Sequence, residues 1–243
     1  MKPLIVHPIQ TRIFHQGEGL FEFILASTPK DLVREKMVLA ITSKIVSLAE
    51  NRLVPHTSID KKALVQKEAD TYLGEIGHGC FLTIKSGLLI PSAGIDESNS
   101  EKGDYILYPV DPFGTAENLW TELRKSWKLK DLGLIITDSH TTPLRRGVTG
   151  ICLSYAGFRA VRNLVGTSDL FGKALRVTQM NYADGISSAA VMMMGEGAEC
   201  RPLAIIENTE IEFCEQIKPE EILIPLEEDL YFPILESFLA KKR

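Results

Sequence analysis

Leu132-Gly133-Leu134-Ile135-Ile136-Thr137-Asp138-Ser139-His140, continued by Arg145-Arg146-Gly147-Val148-Thr149-Gly150, is the stretch from which the rest of the chain can be ordered. Its aliphatic run, flanked by a glycine and by polar groups, predicts a buried strand. Thr137, Asp138 and Ser139 then bring three oxygen-bearing side chains to the place where a central strand is expected to stop. An acid at that position is where open α/β sheets hold ligands and metals. Arg145 and Arg146 supply donors for phosphate oxygens, and the glycines around them let backbone come close. Taken alone, the stretch reads as well as a surface turn with a capping Asp.

Working outward, residues 36–47 form a second buried-strand candidate, with Ser43 and Lys44 in its middle or at its end. A lysine there either snorkels to the surface or is placed for an anion. Residues 3–9 alternate weakly and can open a sheet, before Gln10, Thr11 and Arg12 interrupt them. Residues 60–72 predict a solvent-facing helix capped by Asp60, with Ala63, Leu64 and Ala69 on one side. Residues 81–84 and 87–91 predict a hairpin that leads into Ser92 to Asn99, and residues 105–108 a further strand. A helix over 115–127 carries Ala116, Leu119, Trp120, Leu123 and Trp127 on one face, so both tryptophans belong to a core or an interface.

Residues 148–161 are again sheet-like. Asp169 to Lys173 predicts a turn, and 174–178 a half-buried strand by its alternation. Asp184 is expected to cap a buried helix over 185–194, with Met192, Met193 and Met194 as plastic core filling. Residues 203–207 predict a last strand. The tail after Asn208 is acidic and ends in a short helix before Lys241, Lys242 and Arg243. Mixed strands and helices without regular βαβ alternation predict an α+β fold with mixed or antiparallel sheets and packed helices. At 243 residues this is one domain, or two interlocked subdomains, with room for a substantial core.

The composition excludes several classes. A net charge of −5 argues against general nucleic-acid binding, which wants a basic surface. No run reaches the ~18 apolar residues of a membrane span, and the N-terminus lacks the apolar core of a signal peptide, so a cytoplasmic location is expected. Cys80, Cys152, Cys200 and Cys214 form no CxxC pair, and Cys80 and Cys152 read as buried thiols. The five histidines form no HExxH or HxH arrangement.

Three oxygen-rich turns stand out: Gly94 to Asn99, Thr137 to Ser139, and Gly195-Glu196-Gly197. Each follows an apolar element and mixes an acid with small or hydroxyl residues. Hard cations such as Mg²⁺ and Mn²⁺ take such ligands together with phosphates and waters. Arg12, Lys44, Arg145 and Arg146 can balance phosphate charge. Neither GxxxxGK[ST] nor GxGxxG is present, so P-loop and Rossmann phosphate binding do not apply.

The segments Ala93-Gly-Ile-Asp-Glu-Ser-Asn99, Pro109-Val-Asp-Pro-Phe-Gly-Thr-Ala-Glu117, Ile135-Ile-Thr-Asp-Ser139, Arg145-Arg-Gly-Val-Thr-Gly150, Asp169-Leu-Phe-Gly172 and Met194-Gly-Glu-Gly197 resemble, in order and spacing, the coenzyme F420-0:γ-glutamyl ligase family. The resemblance runs from about Pro8 to Glu207. It implies a GTP- and divalent-metal-dependent ligase that joins L-glutamate to a carboxylate through an amide. It also implies an unusual α+β fold and an intertwined homodimer.

Carried over by motif, the resemblance assigns a first Mg²⁺ or Mn²⁺ to Asp96 and Asp138, and a second to Ser139 and Glu196. Asn99 would touch the nucleotide, and Gln10, Thr11, Arg12, Ser43, Lys44 and the loop Gly195-Glu196-Gly197 to Arg201 would surround the GTP. Arg145 and Arg146 would act with the metals on the phosphates of the transfer step. The implied reaction passes through an acyl phosphate and needs no nucleophilic side chain.

The chain departs from the family pattern at Leu48, where a second lysine is common. It also departs at His140-Thr141-Thr142 and at Gly185. These departures leave the acceptor open between a deazaflavin-type carboxylate like F420-0 and a pterin type, as in folylglutamate or dihydrofolate synthases. Two rival readings remain at this stage: a nucleotide-dependent carboxylate–amine ligase with another acceptor, and a non-catalytic nucleotide-binding protein of the same fold.

Overall fold

The computed structural model describes residues 2–100 and 102–240. In chain order it contains β1 (Ile5–Ile9), α1 (Leu20–Ser27), β2 (Met37–Thr42), α2 (Ser43–Ala49), β3 (Leu53–Val54), α3 (Lys61–Glu68) and β4 (Thr71–Glu75). There follow β5 (Phe81–Lys85), β6 (Leu88–Pro91), β7 (Tyr105–Ile106), α4 (Pro112–Trp127), β8 (Leu132–Thr141) and β9 (Val148–Ala156). The last elements are β10 (Val161–Asn163), β11 (Gln179–Asn181), α5 (Tyr182–Met194), β12 (Leu203–Glu207) and α6 (Phe232–Ala240). Two compact units divide these, the first from residues 1–13, 19–42 and 111–222, the second from 14–18, 43–110 and 223–243.

The first unit is built on a five-stranded sheet of order β1-β12-β2-β8-β9. Its pairs are antiparallel except β2 with β8, which run parallel from Met37 opposite Leu132 to Thr42 opposite Thr137. Met37 to Ile41 and Leu132 to Thr137 are all buried. That is why both read as continuous apolar runs without alternation. On one face Val38, Ala40, Ile135, Cys152, Ala204 and Ile206 pack with Ala183, Ile186, Ala190 and Met194 of α5. Gly150 of β9 allows the close approach, since a Cβ there would lie 2.4 Å from the carbonyl oxygen of Ser187.

Helix α4 packs on β8 and β9. Its Trp120 is buried and donates Nε1–H to the carbonyl of Leu132 at 2.7 Å. The helix starts earlier than the 115–127 expectation because Asp111 caps it, accepting from Gly114 N–H at 3.0 Å, and Pro112 fills the first turn.

The tail of the first unit is fastened by Glu221. Its carboxylate accepts from the Arg159 guanidinium at 2.7 Å, the Ala160 N–H at 2.9 Å and the Tyr155 hydroxyl at 3.3 Å. Burial, and then the Glu221 charge, push the Tyr155 phenol above its ordinary range. Glu221→Ala is expected to lower the urea unfolding midpoint by the equivalent of about 1–3 kcal/mol, because the fully buried Ala160 N–H loses the carboxylate it donates to.

The second unit holds a three-stranded meander, β4-β5-β6, and the two-residue ribbon β3-β7, both antiparallel. The hairpin expected over 81–91 is present as β5 and β6. Helix α3 is capped by Asp60, whose carboxylate accepts from Ala63 N–H at 3.2 Å. It buries Leu64 and Val65 and stops at Glu68, and Tyr72 belongs to β4 instead.

Several expectations need correction. The strand expected over 36–47 stops at Thr42, and Ser43 opens the buried helix α2; a fully buried helix and a fully buried strand share the same apolar pattern. The strand expected to end within Thr137-Asp138-Ser139 continues to Thr141. Only Tyr105 and Ile106 of 105–108 are paired as a strand.

Residues 148–161 break at Gly157, whose φ of +87° turns the chain. Residues 174–178 form no strand, and Val177 is 86% exposed. Asn181, not Asp184, caps α5, accepting from Asp184 N–H at 2.9 Å; the Asp184 carboxylate accepts from Cys152 N–H instead. Met192 and Met193 are exposed on α5 and only Met194 is core. Cys152 is buried, but Cys80 is only partly so. The terminal Lys241, Lys242 and Arg243 lie outside the described residues.

Candidate functional site

The residues singled out from the sequence fall into two groups, one in each unit. In the first unit Asp138 and Ser139 follow a bulge: Ile136 pairs with Ser154 but Thr137 with Cys152, so Leu153 of β9 has no partner. Such a bulge re-aims the side chains that follow it. Consecutive strand residues face opposite ways, and Ser139 lies opposite Gly150, the glycine that touches α5. Ser139 therefore shares the α5 face and Asp138 the other. The Asp138 carboxylate accepts from Ser139 N–H at 2.8 Å. Arg145 and Arg146 stand exposed in the turn between β8 and β9.

Helix α5 ends at Met194, and Gly195 with φ +88° starts the exposed loop bearing Glu196 and Gly197. Glu199 shapes this loop. Its carboxylate accepts from Gly197 N–H at 2.7 Å and occupies the space a Cβ on Gly195 would need. Gln10 and Thr11 are stitched to the same loop. Thr11 N–H donates to the Cys200 carbonyl at 3.0 Å, Gln10 Nε2 donates to it at 3.4 Å, and Arg201 Nε reaches Gln10 Oε1 at 3.5 Å. The Arg12 guanidinium lies over the Phe23 ring, 5.1 Å from its centroid. The structure thus joins the expected residues 10–11 to the expected loop 195–201.

In the second unit Asp96 and Lys44 meet. Asp96 is fixed by its backbone, which exchanges two hydrogen bonds with Ile106 at 2.9 and 2.8 Å. Its Oδ2 lies 2.5 Å from Lys44 Nζ, and its Oδ1 accepts from Ser98 N–H at 2.7 Å. Lys44 Nζ also donates to Ser98 Oγ at 3.1 Å. Burial alone would push the Asp96 carboxyl up, but the ammonium and the Ser98 hydrogen bonds outweigh it and hold the group below its ordinary value. Asp96 is therefore ionised at neutral pH. Ser43 is buried at the start of α2, and Asn99 is exposed with φ +57°. Glu97 pairs with Lys61.

Sequence reasoning missed Ser98 and Glu199. Ser98 lies within the quoted segment 93–99 and Glu199 two residues beyond the segment 194–197, and the signal that could have found them is an acidic side chain two residues from the backbone N–H it accepts.

Among the described residues no group of three His, Cys, Asp or Glu side chains is arranged to hold a metal ion. The residues expected to hold a metal carry hard oxygens, the Asp138 carboxylate, Ser139 hydroxyl and Glu196 carboxylate in the first unit and the Asp96 carboxylate in the second. Oxygens of this kind are what Mg²⁺ and Mn²⁺ take beside phosphates and waters. Among the described residues no helix is long and apolar enough to cross a membrane.

A family model described as F420-0:Gamma-glutamyl ligase matches residues 8–208. A protein of Methanosarcina mazei named Coenzyme F420:L-glutamate ligase is 37% identical over 221 residues, covering 84% of this chain and 84% of that protein. One of the same name from Methanopyrus kandleri is 29% identical over 219 residues, 83% of this chain and 84% of that protein. Another from Archaeoglobus fulgidus is 36% identical over 152 residues, 62% and 60% of the two chains.

Proposed function

The chain belongs to the F420-0:gamma-glutamyl ligase family, and from that premise we propose that it joins L-glutamate by an amide bond to a carboxylate acceptor at the expense of GTP. The observation that carries this reading is similarity along most of both chains to a protein named Coenzyme F420:L-glutamate ligase. The six motif segments lie within or beside the matched residues.

A carboxylate is a poor electrophile. Transfer of the γ-phosphoryl group of GTP gives an acyl phosphate, which the glutamate amine attacks with departure of phosphate. In this proposal Asp96 and Asp138 hold a first Mg²⁺ or Mn²⁺, and Ser139 and Glu196 a second. The metals supply positive charge against the β- and γ-phosphates. Gln10, Thr11, Arg12, Ser43, Lys44, Asn99, Gly195 and Gly197 contact the nucleotide, and Arg145 and Arg146 bind phosphate oxygens.

Support for this assignment comes from the ionised state of Asp96 and from the strand alternation that sets Asp138 and Ser139 on opposite faces of β8. The same reading includes a homodimer. Leu170 and Phe171, in one of the shared motifs, stand 98% and 95% exposed, which is unusual for large apolar side chains in a lone chain.

Leu48 is nearly buried on α2, so an apolar side chain stands where the family resemblance calls for a lysine. This observation favours testing a folate-type acceptor beside F420-0. Purified protein incubated with GTP, Mn²⁺, L-glutamate and either F420-0 or dihydropteroate is expected to give a glutamyl adduct by mass spectrometry with one of them, and none without GTP. Phosphate release without either adduct would point to a ligase for another acceptor. No GTP-dependent phosphate release under any of these conditions would leave only a nucleotide-binding protein.

A further inference from the structure

Lys44 and Asp96 are both assigned above to ligand binding, yet the structure has them bound to each other. Both Asp96 oxygens are engaged, Oδ2 by the Lys44 ammonium at 2.5 Å and Oδ1 by Ser98 N–H at 2.7 Å. Lys44 is likewise committed, since Ser98 Oγ takes a second of its three donors at 3.1 Å. Their side chains are 25% and 35% exposed, so the pair is only partly screened by water. A divalent cation and an ammonium cannot share one carboxylate oxygen at such distances without strong like-charge repulsion.

Resting on the ligase reading, we propose that Lys44 is an exchangeable counter-ion. It occupies Asp96 while phosphate is absent and moves to the phosphates of the incoming nucleotide, which frees the carboxylate for the cation. Lys44 is suited to this because its ammonium is a compact charge on a flexible stem, able to change partners without moving backbone. Asp96 stays in place through its two backbone bonds to Ile106. The consequence is that cation affinity at Asp96 is held low until nucleotide arrives. By thermodynamic reciprocity, cation and nucleotide then strengthen each other's binding.

The test counts free Mn²⁺ by electron paramagnetic resonance with the full chain and no nucleotide. Lys44→Met is expected to bind Mn²⁺ about tenfold more tightly than the parent chain, the effect of deleting a competing charge-assisted bond. Lys44→Arg keeps a cation on Asp96 and is expected to stay within about twofold of the parent. Lys44→Gln repeats the test if methionine is not tolerated at this part-buried position.

Mn²⁺ binding to Lys44→Met and Lys44→Gln that is no tighter than to the parent overturns the exchange. A gain that survives Asp96→Asn in the same chain also overturns it, because the cation would then be elsewhere. In both cases Mn²⁺ binding by the parent with GTP, beyond what the same GTP binds without protein, would leave the ligase reading standing. A parent chain that binds no Mn²⁺ with or without GTP overturns both.

Discussion

Asp138→Asn is expected to reduce glutamate ligation by about a hundredfold or more while leaving the thermal midpoint almost unchanged. The expected loss follows from the size of effects seen when a charge aimed at phosphoryl transfer is removed from a preorganised site. The fold is expected to survive because asparagine matches aspartate in size and its amide oxygen can also accept the Ser139 N–H, which the Asp138 carboxylate takes at 2.8 Å. The substitution therefore removes charge and keeps shape. Turnover and Mn²⁺ affinity measured beside a thermal melt make the check. Near-normal turnover would sink the metal assignment, whereas a collapsed midpoint would show that Asp138 is structural.

The second large effect concerns stability alone. Gly157 closes β9 at φ +87°, and a Cβ there would fall 2.1 Å from the Leu132 carbonyl oxygen and 2.3 Å from Trp120 Nε1. Those two atoms are bonded to each other at 2.7 Å, so a methyl group would enter a hydrogen bond that anchors α4 to β8. One obstacle is backbone and the other a buried indole, and neither can swing away. Gly157→Ala is expected to cost about 3–4 kcal/mol from the left-handed backbone and the overpacking together. For a chain of this size that lowers the midpoint by about 10 °C, measurable by calorimetry. An unchanged midpoint would mean that the loop at 157 rearranges freely.

Both predictions rest on features with unequal visibility in the sequence. The face of α4 was legible because apolar residues hold the helical period over about three turns, and the 81–91 hairpin because two short apolar runs flank a Ser-Gly turn. Helix α2 was not legible, since Ile45, Val46 and Leu48 extend the apolar run of β2 without a break. Val177 misled in the opposite direction: alternation over five residues suggested a strand, but its side chain stands exposed and is not half-buried. Asp184 had the right chemistry for a cap, and Asn181 stood one turn earlier with the same chemistry.

For the candidate site, motif order selected the residues, but their present partners were hidden. The Lys44–Asp96 contact joins two distant segments, and nothing local in either one encodes it. The tie between Gln10, Thr11 and Cys200 was hidden for the same reason.

The strand order has a consequence for how the protein acquires its structure. Ile5 pairs with Glu207, and the middle strands of the same sheet come from residues 37–42 and 132–141. Nearly every neighbouring pair in that sheet thus bridges a long stretch of chain, a topology of high contact order that folds slowly. On the ribosome the five-stranded layer cannot close until β12 has emerged, whereas the β4-β5-β6 meander, made from one short stretch, can form during synthesis. Until then the apolar edge of β2 waits for its partner, and dependence on chaperones in the nascent chain is the expected outcome.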